Sequence, residues 1–270
     1  GTYHVGIELC KVKLDGANSP KEHEEKLLEE IKKLTNEKKE ELKEYLTGIN
    51  SFKVQSVKLR ECEYSSTDYN VDIGSACKQL CEDIGFDVSV NLKQPDMQFL
   101  YLIDKDYAVL SIDLIGENLQ KRPYKIFSQP SSLNSVFAYS VLRACDVKKK
   151  DVFVDCFCGG GTLPIEFAYY STDTSAFIFE KKFLGLNYSF CGKDFLEMQE
   201  SLSKKIQKEN ALEEKYIYGY DKMFNTILQA QKNAKLSGLF NKMTFSKVSV
   251  DWVDSKFDQG EVDSIISNVP

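Results

Sequence analysis

The chain has 270 residues, 42% of them hydrophobic and 28% charged, with a formal net charge of −6. That length suits two domains with a core each, and the charge argues against broad affinity for nucleic acid while leaving 35 Lys and Arg for a local basic surface. No apolar stretch could span a bilayer, no signal-peptide pattern opens the chain, and the eight cysteines contain no C-x-x-C pair, so reduced thiols in the cytoplasm, with the nucleus as the alternative, are expected rather than zinc or disulfides.

Residues 1–10 are a short strand candidate. Ser19-Pro20-Lys21-Glu22 then reads as a helix start: a cap, a proline at the first helical position and a capping-box acid. Leu27, Leu28, Ile31, Leu34, Leu42, Tyr45 and Leu46 continue at helical spacing, broken at Asn36–Glu40 and ended by Gly48. From Phe52 to Leu59 the pattern alternates as in a strand. Ile73, Ala76, Cys77, Leu80, Cys81 and Ile84 mark one helix face closed by Gly85. Val88, Val90 and Leu92 alternate again, and Phe99–Ile103 with Tyr107–Ile115 form a hairpin across Asp104-Lys105-Asp106. This block reads as a small α+β domain.

A polar, basic connector follows, Gly116 to Tyr124, containing Lys121 and Arg122. Beyond it Leu133, Val136, Phe137, Val141 and Ala144 predict a helix, and Cys145, like Cys77 and Cys81, is expected in the core. Strand and helix then alternate: a strand at Val152–Asp155, a helix at Pro164–Tyr170, a charged helix from Asp194 to about Lys208, strands at Tyr216–Tyr220 and Met243–Val250 flanking a helix at Met223–Leu236, and a strand at Val262–Ser267. Such alternation implies a parallel sheet with helical crossovers.

The motifs sit at strand ends. Asp155 closes the first strand, and Gly159-Gly160-Gly161 lets the backbone turn tightly and approach a ligand before an electropositive helix start. There is no Gly-Lys-Ser/Thr, which excludes a Walker loop, and the next strand-end acid, Asp221, lies too far on for the usual dinucleotide pattern. Asp221 can accept both ribose hydroxyls of a nucleoside, with Met223 packing on the base. Asp251, after the third strand, either accepts from an adenine amino group or is a plain turn residue. Asn268-Val269-Pro270 ends the fourth strand: the Asn oxygen and the next carbonyl can accept both N–H bonds of an exocyclic amine, and Pro270 stiffens the loop. In this order, glycine turn, acid and Asn-x-Pro read as an S-adenosylmethionine-dependent amino-group methyltransferase.

These residues resemble a known family. Residues 51–127 are similar to a THUMP RNA-binding domain, and 128–270 to the α/β Rossmann-like class I domain of THUMP-containing RNA guanosine-N2 methyltransferases, after an extension at 1–50 carrying the charged helix. The resemblance rests on Asp113-Leu-Ile-Gly to Arg122-Pro-Tyr124, on Gln129-Pro-Ser-Ser-Leu133 (with Gln where the family has His), on Asp155-Cys-Phe-Cys-Gly-Gly-Gly-Thr-Leu-Pro-Ile-Glu166, on Gly185-Leu-Asn187 and on Asn268-Val-Pro270. It implies S-adenosylmethionine held by Ser131, Leu133, Asp155, Cys158, Gly159, Gly161, Asp221, Met223 and Asp251, and catalysis by Asn268 with Pro270. It implies a tRNA substrate gripped by the THUMP domain, a flipped guanine forming N2-methylguanosine, and a small zinc-binding activator subunit as a partner. Lys121, Arg122 and Lys125 either touch the RNA backbone or form a solvated loop. The family's pattern continues beyond Pro270 with an aromatic residue and further strands, so the sheet reads as incomplete and the chain as a fragment. Two other readings stay open: a different target (an adenine amine or small nuclear RNA), and a non-catalytic RNA-binding protein with a degenerate methyltransferase domain.

Overall fold

The computed structural model describes residues 3–61, 63–128, 131–178, 183–212 and 214–269. The chain divides into two compact units, His4–Glu117 with Lys181–Leu196, and Asn118–Glu180 with Glu197–Pro270 and the first three residues.

The first unit is built on five strands: β1 (Gly6–Lys13), β2 (Ser51–Lys58), β3 (Ser89–Val90), β4 (Met97–Ile103) and β5 (Tyr107–Asp113), ordered β1-β5-β4-β2-β3. The expected hairpin is present, β4 and β5 pairing antiparallel from Gln98↔Asp113 to Ile103↔Ala108, while β2 runs parallel to β4. Helices α1 (Pro20–Leu46) and α2 (Ser66–Asp83) each start on a serine capping box, Ser19 with Glu22 and Ser65 with Asp68. The break in the apolar stripe of α1 appears as a kink at Lys38, whose φ of −130° leaves the helical region. Leu27, Ile31, Ile73, Cys77, Leu80, Phe52, Phe99 and Leu110 share one core.

Three expectations for these segments change. The extension packs into this unit: β1 is the antiparallel edge partner of β5, and Leu27, Ile31 and Leu42 of α1 lie in the common core. The carboxyl-terminal insert around Gly185 groups with this first unit, where the Gly185 N–H donates to Leu114 O at 2.8 Å and the Tyr188 hydroxyl donates to Asp113 O at 2.8 Å. Strand character at Val88–Leu92 shrinks to Ser89 and Val90, which pair with Ser51 and Phe52 of β2.

The second unit carries a parallel sheet of β6 (Phe153–Asp155), β7 (Ile217–Asp221), β8 (Met243–Lys247) and β9 (Ser264–Ile265), ordered β8-β7-β6-β9. Strand order reverses at β6, whose neighbours β7 and β9 lie on opposite sides, and α/β sheets bind ligands at the carboxyl ends beside such a reversal. Helices α3 (Ser135–Ala144), α4 (Thr162–Thr172), α5 (Gly192–Ala211) and α6 (Phe224–Ser237) follow the predicted order. Leu163, Ile165, Phe167, Ala168 and Tyr169 are all buried, and so is Glu166, so α4 is enclosed on most of its circumference, as suits a central helix. Cys145 is exposed rather than in the core, because α3 ends at Ala144 and Cys145 is its cap. The third strand stops at Lys247, and Val250 falls in a short 3-10 turn, Val250–Trp252.

Candidate active site

The carboxyl ends of β6 and β7 and the loops after β8 and β9 surround one cavity of about 460 Å³. Ser131, Leu133, Asp155, Cys158, Gly159, Asp221, Met223, Asp251 and Asn268, all anticipated from the sequence, line it together. Gly161 does not. At φ +82° it is the amino-terminal cap of α4, and a Cβ there would meet the Ala230 Cβ and the Phe245 ring at 3.2 Å. It is glycine because the turn is left-handed and the packing tight, not because a ligand touches it. Gly159, at φ +52°, would direct a Cβ into open space. Pro270 lies outside the described residues.

Asp155 is buried at the end of β6. One carboxylate oxygen accepts the Phe157 N–H at 3.1 Å. Burial pushes its carboxyl up to about 7, with the Asp221 charge adding to the shift; hydrogen bonds from the Ser267 hydroxyl and the Phe157 N–H oppose it. Asp221 uses both oxygens on backbone, accepting the Gly159 N–H at 3.2 Å and the Met223 N–H at 2.8 Å. It therefore ties the glycine turn to the end of β7. Among the described residues neither acid forms an ion pair, so with Asp251 the cavity is lined by three carboxyl groups, with Lys222 as the lining cation. Such a set of acceptors fits a ligand bearing a positive charge and hydroxyl donors, which describes the ammonium, sulfonium and ribose of S-adenosylmethionine.

Asn268 is exposed on the rim. Its amide nitrogen donates to Ser131 O at a long 3.5 Å, and its oxygen has no protein donor among the described residues. Asp251 belongs to the 3-10 turn rather than to a strand end, accepting the Ser249 hydroxyl at 2.8 Å.

The sequence matches the RMKL-like methyltransferase domain family over residues 122–270, more than half of the chain and the whole of this cavity. The chain belongs to this methyltransferase family. It also carries a THUMP domain, matched over residues 21–113. A tRNA (guanine(6)-N2)-methyltransferase from Methanocaldococcus jannaschii is 30% identical over 84% of this chain and 58% of that protein. A ribosomal RNA large subunit methyltransferase K/L from Buchnera aphidicola is 28% identical over 67% of this chain and 26% of that protein. Among solved structures, SMU.472, described as a methyltransferase and complexed with SAH, superposes with a TM-score of 0.70 at 18% identity, covering 99% of this chain and 66% of that one. The chain spans a little over half the length of the Methanocaldococcus relative.

Two internal supports of the methyltransferase site were not read from the sequence. The buried Asn233 of α6 accepts the Phe127 N–H at 3.1 Å and donates to Phe127 O and Gly160 O, both at 2.9 Å, which clamps the glycine turn from behind. The second is a buried cluster around Glu166. Arg122 donates Nε and Nη2 to the two Glu166 oxygens at 2.9 and 3.0 Å, and the Tyr124 hydroxyl donates to the same carboxylate at 2.7 Å. Burial raises the Glu166 carboxyl, and the Arg122 guanidinium pulls it back. The motifs R-x-Y and I-E, both visible in the sequence, were the signal.

This cluster corrects the RNA-contact expectation for Arg122. Its side chain is only 10% exposed and its guanidinium fork is committed to Glu166. Lys125 is half-buried, with its ammonium donating to Leu133 O. Of the three basic residues, Lys121 alone is exposed.

Proposed function

We propose that this chain is the cofactor-binding part of an S-adenosylmethionine-dependent RNA methyltransferase that forms N2-methylguanosine in tRNA. The observation that carries the reading is the convergence of Asp155, Asp221 and Asn268 on one cavity at the carboxyl ends of adjacent parallel strands, lined by the glycine turn. The THUMP domain and the tRNA methyltransferase relative support RNA, and tRNA in particular, as the substrate.

When bound, the cofactor supplies a methyl group on a positively charged sulfur. Asp221, already oriented by two backbone N–H groups, accepts from the ribose hydroxyls with its remaining lone pairs. Asp155 would hold the cationic amino-acid end, where its ionised form is the one a positive charge favours. Met223 and Val250, both exposed and both lining the cavity, would offer apolar surface to the adenine. The free oxygen of Asn268 accepts one N–H of the guanine amine and the Val269 carbonyl accepts the other. This orients the nitrogen lone pair and stabilises the charge that develops on it, by positioning and electrostatics. The THUMP domain supplies the grip on RNA shape and phosphates.

The test is methyl transfer from tritiated S-adenosylmethionine to tRNA and, separately, to ribosomal RNA, using the full protein that carries this chain. Nucleoside analysis should yield N2-methylguanosine from tRNA, and Asn268→Ala should abolish it. Transfer to ribosomal RNA alone would move the substrate to that of the K/L relative. Cofactor binding without transfer to either would favour an RNA-binding role.

A further inference from the structure

A second hollow of about 330 Å³ opens beside the cofactor cavity and shares Ser132 and Leu133 with it as a common wall. Lys121, Arg122 and Lys125 line it together with the hydroxyl groups of Ser128, Ser132 and Ser135. The charges around it do not balance. The carboxylate of Glu166 is saturated by the Arg122 fork and the Tyr124 hydroxyl, which leaves Lys121 and Lys125 as surplus cations. Lys125 is the telling group. Its half-buried ammonium donates to one neutral carbonyl, Leu133 O, and two of its three N–H bonds have no acceptor among the described residues. Burial holds its pKa below the usual lysine range; the nearby Glu166 charge opposes that shift and the Arg122 charge adds to it. The hollow offers an anion an open space lined by the Lys125 ammonium, with Lys121 on its exposed rim.

We propose that this hollow is a phosphate subsite, taking a backbone phosphodiester of the RNA next to the nucleotide whose base enters the neighbouring cavity. The ligand assignment rests on the RNA methyltransferase reading above; the anion site itself does not. Because the two cavities share Ser132 and Leu133 as a wall, a phosphate held by Lys125 would anchor the strand next to the cofactor cavity, so that affinity and positioning of the target base are coupled.

The experiment measures RNA affinity against salt concentration for the parent, Lys125→Gln, Lys125→Arg and Lys121→Gln, with cofactor affinity measured in parallel by calorimetry. Lys125→Gln should weaken RNA binding by about five- to tenfold and flatten the salt dependence by about one phosphate contact. Lys125→Arg should restore both, and Lys121→Gln, on the exposed rim, should give a smaller loss of the same sign even if Lys125→Gln does not fold. Cofactor affinity should stay unchanged in all of them. An unaltered salt dependence in the folded variants overturns the subsite. So does a parallel loss of cofactor affinity, which would assign the hollow to the cofactor's own carboxylate. If the parent binds neither cofactor nor RNA, the functional reading fails on its own. A titration with inorganic phosphate, followed at the amide resonances of Ser132–Ser135, then decides the anion site. Shifts that vanish in Lys125→Gln keep it with free phosphate as its ligand, and no shifts overturn it.

Discussion

Two groups of carboxylates in the second unit differ in kind. Glu166 is buried and fully answered: two nitrogens of Arg122 and the hydroxyl of Tyr124 occupy its oxygens. Asp155 and Asp221 meet only neutral donors, namely backbone N–H groups and the Ser267 hydroxyl, and they line a void. The first arrangement closes a charge balance inside the fold. The second leaves the balance open for a ligand to close. Acidic residues of similar burial can therefore be sorted into scaffold and site by asking whether the protein itself supplies the counter-charge.

The strongest way to break that comparison is to remove the counter-charge from the scaffold cluster. Arg122→Met leaves a carboxylate of 2% exposure with only Tyr124 as a donor. Losing one partner of a buried pair typically costs about 3–5 kcal/mol. The guanidinium unfolding midpoint of Arg122→Met should fall accordingly, and a midpoint within error of the parent would show that Glu166 is not held as a buried charge.

The second test uses pH. The Asp155 carboxyl stands at about 7 in the fold because burial disfavours its charge, against about 3.9 in an unfolded chain. Between those values the native state binds the extra proton, so ligand-free stability should fall as pH rises from about 4 to about 7 and level off above. The span corresponds to a few kcal/mol. Asp155→Asn should lose this slope and exceed the parent's stability above pH 7. Thermal melts of both proteins across that range are the measurement, and parallel curves would show that Asp155 is not the titrating group.

The third test lies on the ligand side of the comparison. Asp221→Ala removes an acceptor that the fold uses only for two exposed or half-exposed N–H groups. Cofactor affinity measured by calorimetry should fall about 10- to 100-fold, equivalent to about 1.4–2.8 kcal/mol. The ligand-free unfolding midpoint should change far less than in Arg122→Met. A loss of stability comparable to that of Arg122→Met would place Asp221 with the scaffold.

Which parts of this were legible in the sequence follows from the range of the interactions. The β4–β5 hairpin, the two capping boxes and the kink at Lys38 are written within a few residues, in alternation, Ser-x-x-acid spacing and a broken stripe. Asp155, Asp221 and Asn268 were legible because strand-end residues of a parallel sheet converge once the alternation of elements is recognised. Pairings between distant segments were not. The partner of β1 is β5, far along the chain, Arg122 meets Glu166 across 44 residues, and the segment around Gly185 groups with the first unit. Gly159 and Gly161 look alike in a triple-glycine run, yet one lines the cavity and the other packs against Phe245. Only the tertiary neighbours separate them.

Ser267 joins the two ends of the site and gives the smallest of these effects. Its hydroxyl oxygen accepts the Cys156 N–H at 2.8 Å, and the hydroxyl holds the Asp155 carboxyl down against the upward push of burial. The short β6–β9 ladder stops at Ile265, with the Ile266 N–H donating to Val154 O, so the serine side chain supplies the next rung where the backbones diverge. Ser267→Ala leaves the Cys156 N–H without that acceptor and should destabilise the chain by about 1 kcal/mol. It also removes a hydrogen bond that favours the ionised form of Asp155. The folded carboxyl should then rise above about 7, and the fall of stability with pH should extend further into the alkaline range. Ser267→Thr, which keeps the hydroxyl, should restore both readouts. A Ser267→Ala protein that loses stability with no displacement of the pH midpoint would make Ser267 a ladder rung alone, unconnected to the charge state of the cavity.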